Sequence, residues 1–160
     1  MTFASPKGQG ATEYLVLLAV VLIVAMVAIA LLGFFPGLSY DAKKSESDSY
    51  WRSARPFQVQ QHTMPANGNL TMVVGNVDSN QLKLTNIAVG GSGYAGNYNT
   101  TTYVASGQST TLTINWTTMG SCASGTVYEF NVNFSYDGTG DNPIVNQKQY
   151  GAKTIIGKCS

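Results

Sequence analysis

Ionisable side chains are scarce in this chain. Lysine, arginine, aspartate and glutamate make up 11% of its 160 residues, against about a quarter in an average soluble domain. The formal net charge is +1, so the chain lacks the basic footprint that tracks a nucleic-acid backbone, and no nucleic acid is expected as a partner. Between residues 57 and 140 only Asp78, Lys83, Glu129 and Asp137 carry charge. Asn, Thr, Ser, Gln and Gly supply the polarity there instead, a composition that suits exported β-proteins.

Reactive groups are equally few. His62 is the single histidine; a Ser-His-Asp site would have to use it, and it lies in a strand-like run with no nucleophile motif beside it. No enzymatic activity and no cofactor are expected. The glycine-rich stretch 90–96 (GGSGYAG) is not followed by the Lys-Ser/Thr of a phosphate loop. Residues 137–142 (DGTGDN) offer oxygen ligands but lack the later bidentate glutamate of an EF-hand. Turn chemistry explains that segment as well, and no metal is expected. There are two cysteines, Cys122 and Cys159. In an exported chain they are expected to pair, closing a long loop and stabilising the fold by about 4 kcal/mol in the chain-entropy model; the alternative is two buried thiols.

What the chain does have is one long apolar run. Residues 14–35 carry no charged side chain, and a helix of that length spans roughly 30 Å, the thickness of a bilayer hydrocarbon core. It is apolar all round, so it needs apolar surroundings on every side. Gly33, Pro36 and Gly37 close it, and Pro36 removes a backbone donor, which predicts a kink or a break at 33–37. Residues 39–54 (SYDAKKSESDSYWRSA) read as a second, polar helical stretch, with Tyr40, Lys44, Ser47 and Trp51 on one face and Pro56 ending it.

From there the period changes from helix to strand. Residues 57–64, 69–74, 81–89, 110–116, 126–136 and 147–158 read as strands, the last supplying one or two. The clearest is 126–136, where Tyr128, Phe130, Val132, Phe134 and Tyr136 alternate with Glu129, Asn131, Asn133 and Ser135. A phase slip at Thr85-Asn86 predicts a bulge. Residues 90–96 read as a loop and Asp137-Gly138 as a turn. The fold class expected is α+β, a long N-terminal hydrophobic helix followed by an all-β sandwich or barrel-like domain of about seven strands. Four tripeptides fit the N-glycosylation acceptor pattern, at Asn69, Asn99, Asn115 and Asn133. Asn99 is the first choice, because it falls in a loop-like stretch.

The apolar run has three conceivable fates. Ala28-Ile-Ala30 resembles a signal-peptidase site, but the run starts well before it and continues past it. A permanent single-span anchor explains the length, with Lys7 on the cytoplasmic side; the β-domain would then bind a surface polymer or solute. The third fate rests on a resemblance. Lys7-Gly8-Gln9, with Glu13 and then the apolar helix, is similar to the leader and helix start of archaeal type IV-like pilins with class III signal peptides. The similarity covers the leader and helix, not the β-domain. It implies that a prepilin peptidase cuts between Gly8 and Gln9, that Gln9 becomes the first mature residue, and that Glu13 pairs with its new amino group. The implied organisation is a leader at 1–8, an assembly helix at 9–54 and a β-rich surface domain at 55–160. The implied partners are identical subunits in a helical homopolymer, membrane assembly machinery, and surfaces or other cells. The implied location is the cell membrane for the precursor and an extracellular filament afterwards.

Elementary energetics agree with such a scheme. A cut ahead of the helix leaves it attached, and its extraction from lipid is feasible only if identical helices cover one another. A helix of roughly 25 apolar residues supplies tens of kcal/mol gross on burial. Contacts related by a rotation that does not close then build a filament. Glu13 is costly in such a core unless it is paired.

Overall fold

A computed structural model describes residues 9–115 and 122–160. The fold is α+β: one helix, α1 (Gln9–Ser53), followed by β1 (Phe57–Thr63), β2 (Leu70–Asn76), β3 (Leu82–Gly91), β4 (Tyr94–Val104), β5 (Ser109–Ile114), β6 (Val127–Gly138), β7 (Gln147–Tyr150) and β8 (Ile155–Lys158). The chain forms two compact units, Met1–Ala42 and Lys43–Ser160. The last turns of α1 therefore group with the strands in the second unit.

Helix α1 is continuous through Pro36, so of the kink or break expected there, the break is absent. Proline removes one donor and lets the flanking turns continue, and helices tolerate that loss when the sequence around it is otherwise helix-forming.

In the second unit all strand pairs are antiparallel. One sheet has the order β1-β2-β5. The other runs β4-β3-β6-β7, with β8 beside the first half of β6. Both sheets contribute to a single core: Phe57, Val59, Met72 and Val74 from the first meet Leu84, Ile87, Phe130, Val132 and Phe134 from the second. The architecture is a two-sheet sandwich. The alternation along β6 buries Tyr128, Phe130, Val132 and Phe134, as the sequence predicts. The predicted bulge is also present: the register of β3 slips between Leu84 and Asn86 against both neighbours, and Thr85 donates its hydroxyl to the Ser135 carbonyl across the gap at 2.9 Å.

Two expectations about loops fail. Residues 90–96 are not a loop but the tip of the β3–β4 hairpin. Only Ser92 and Gly93 turn, both at positive φ (49° and 76°), the geometry whose twist matches flanking strands. A Cβ at Gly91 would collide with the Glu129 carbonyl, which fixes glycine there. Asp137-Gly138 likewise ends β6 rather than turning the chain.

The C-terminal part of α1 seals the sandwich. Trp51 is buried against Phe134, edge-to-face at 6.1 Å. Its indole nitrogen donates to the Lys153 carbonyl (3.0 Å), and the Ser47 hydroxyl donates to the Thr154 carbonyl (2.6 Å). Gly151 lies under the indole with no room for a Cβ. The helical face expected from Ser47 and Trp51 is thus the one that docks.

Candidate functional site: the bare apolar helix

Residues Thr12–Leu32 form one helix long and apolar enough to cross a membrane. Its large apolar side chains, from Tyr14 to Leu32, are 43 to 70% exposed. They are distributed around the whole circumference, because the sequence has no polar stripe within the run. A soluble domain rarely leaves a contiguous apolar patch larger than a few hundred Å² uncovered. This segment is suited to apolar surroundings, as a membrane anchor or a signal segment is. Glu13 stands exposed one turn inside the helix start, the only ionisable group in the described run besides the tyrosine phenol beside it. Gly8 lies outside the described residues, as does the side chain of Gln9, so the cleavage junction remains an expectation from sequence.

The β-domain is closed by a disulfide between Cys122 and Cys159, whose Cα atoms are 5.9 Å apart. Their backbone amides donate to Ala66 and Thr126, so the bridge ties the C-terminal residues to the segment ahead of β6 and, through it, to the β1–β2 connection. The four glycosylation sequons spread over different settings. Asn99 is not in a loop: it lies on the exposed face of edge strand β4 and accepts from the Asn86 amide at 2.8 Å. Asn133 is half-buried in central strand β6, its oxygen taking the Gly151 N–H at 3.1 Å. Asn69 precedes β2 and is half-buried, while Asn115 follows β5 and is exposed.

A polar cluster that sequence reasoning missed lies under the docked end of α1. His62 Nδ1 is 2.9 Å from the Tyr128 hydroxyl, and its Nε2 is 4.0 Å from Asp48, which in turn pairs with Lys44 at 2.6 Å. Burial first, and then the Lys44 charge, push the imidazole down to about 4, against a smaller upward pull from Asp48. His62 is therefore neutral at physiological pH and hydrogen-bonded to a phenol. No local signal in the sequence joins His62 to Tyr128, which are 66 residues apart.

In the segment read as a calcium candidate, the first carboxylate is otherwise engaged. Asp137 accepts the Asn146 N–H at 2.8 Å and faces Lys83 at 3.8 Å. Among the described residues no three His, Cys, Asp or Glu side chains group as metal ligands do. Comparison with known proteins returns no matching family model and no matching curated protein. The functional reading rests on the chain itself.

Proposed function

We propose that the chain is the precursor of a structural subunit of an extracellular archaeal type IV-like pilus, polymerising through its N-terminal apolar helix and serving adhesion. The observation that carries this reading is the uncovered helix Thr12–Leu32, apolar on every side, with Glu13 at its head. A helix of this kind is stable in lipid before assembly and in a bundle of identical helices afterwards. The bundle alone gives Glu13 a purpose: it neutralises the amino group that cleavage before Gln9 creates. The partners of this scheme are identical subunits, a prepilin peptidase, the membrane assembly machinery, and the surfaces or cells that the filament meets.

The cystine-closed, charge-poor sandwich suits the filament's outer layer, where it faces the extracellular medium. A second reading, a permanent single-span anchor displaying the same domain, is favoured by the absence of any polar stripe on the helix. It leaves Glu13 without a role. Recovery of the chain from purified filaments, starting at Gln9, tests the proposal against this alternative.

A further inference from the structure

The connection between β6 and β7 makes a cleft of about 320 Å³ at one end of the five-stranded sheet. Its walls carry Asn80, Tyr136, Asn142 and Gln147, with Pro143 and Ile144 forming an aliphatic side. No ionised side chain lines it. Three bonds hold the loop in place: Gly138 N–H to the Ile144 carbonyl (2.8 Å), Asn146 N–H to Asp137 (2.8 Å), and the Thr139 hydroxyl to the Gln81 carbonyl (2.6 Å). The cleft is therefore formed before any ligand arrives, which reduces the ordering cost of binding.

The hydrogen-bonding groups in the walls are spare. Among the described residues, the side-chain amides of Asn80 and Asn142 and the Tyr136 hydroxyl have no hydrogen-bond partner, and Gln147 makes only a long 3.4 Å contact to the Val145 carbonyl. Burial, then the Asp78 charge, raise the Tyr136 phenol, so it stays a neutral donor. Asp78 itself is turned to the Asn80 N–H and the Ser79 hydroxyl. Ile144 is 69% exposed beside these groups.

We propose that this cleft binds a neutral sugar residue of a glycan. Each carboxamide presents a donor and an acceptor side by side, the pattern that matches adjacent hydroxyls on a pyranose ring. Pro143 and Ile144 offer an apolar surface for the C–H face of the same ring. The lack of a cation in the lining disfavours phosphate and carboxylate ligands, whose charge would not be compensated on desolvation. The volume suits a ligand of one or two sugar units, at the lower end of the range for small-molecule sites. The site does not depend on polymerisation, so it stands or falls separately from the filament reading.

The test uses the full chain in detergent micelles and saturation-transfer NMR. Neutral gluco-, manno- and galacto-oligosaccharides form one arm, the neutral fraction of glycans released from the source cells' own surface proteins a second, and sulfated oligosaccharides of equal length a third. The expected result is saturable binding in at least one neutral arm, weakened about fivefold or more by N142A, which removes a donor and an acceptor, and by Y136F, which removes one hydroxyl. Asn142 lies in an exposed loop, and Tyr136→Phe keeps the ring that packs on Phe57. Binding by released glycans would make the site a contact between neighbouring glycosylated surfaces. Binding by foreign oligosaccharides alone would make it an adhesive site. Absence of saturable binding in both neutral arms, equal binding by the variants, or preference for the sulfated arm overturns the proposal.

Discussion

Gln149 takes both backbone groups of Phe57 at once: its Nε2 donates to the Phe57 carbonyl at 2.7 Å, and its Oε1 accepts the Phe57 N–H at 2.9 Å. A side chain from β7 thereby acts as a missing strand for β1 and joins the two sheets in the buried interior. Asn76 makes a similar link at the other side, donating to the carbonyls of Asn80 and Val104 (2.8 and 2.9 Å) and accepting the Asp78 N–H (2.9 Å). The two amides complete hydrogen bonding where the sheets cannot.

Replacing Gln149 with leucine fills the same space but leaves the Phe57 N–H and C=O unpaired away from water. The expected loss is about 2–4 kcal/mol, because each buried backbone group forfeits its partner. Urea denaturation of the full chain in micelles, followed by tryptophan fluorescence, measures it. A loss below about 0.5 kcal/mol would mean that the clip is ornamental.

His62 gives the fold a defined acid sensitivity. Its folded pKa, about 4, lies below the ordinary histidine value of 6.5, so the unfolded state binds the extra proton first. Stability from this group is complete above about pH 6.5, declines as the pH falls, and is exhausted near pH 4, a loss of about 3 kcal/mol. The groups facing the ring are Tyr128, Asp48 and Lys44. Denaturation midpoints of wild type and H62Q between about pH 7 and pH 4 should converge as the wild type loses this increment. Parallel curves would remove His62 from the acid response.

Glu13→Ala should insert in the membrane as the wild type does, since it only removes a charge from an apolar helix. In a filament it strands the amino group of the mature N-terminus, and loss of one partner of a buried pair costs on the order of 3 kcal/mol per subunit. Filament yield, measured by shearing and sedimentation against membrane-bound chain, should fall to background. Normal yield would take Glu13 out of assembly.

Much of the fold was legible because its signals are local. The alternation from Tyr128 to Phe134 fixes β6, and the slip at Thr85-Asn86 marks a bulge that both partner strands register. Strand β4 escaped because its inward positions are Tyr94, Gly96, Tyr98, Thr100 and Thr102, half-buried on an edge, with no aliphatic alternation to read. The neighbouring glycines then looked like a loop, although only Ser92 and Gly93 turn. The Gln149–Phe57 and His62–Tyr128 pairs join residues 92 and 66 positions apart, which no local pattern encodes. At the helix, length, freedom from charge and the position of Glu13 are all properties of the sequence, and the structure adds that the described apolar side chains are bare.

The most direct test is the N-terminal sequence of the chain recovered from filaments sheared off its source cells. A first residue of Gln9 is the predicted result, with the apolar helix retained intact behind it. An intact Met1, a start after Ala30, or a chain found only in the membrane fraction would contradict assembly through this helix.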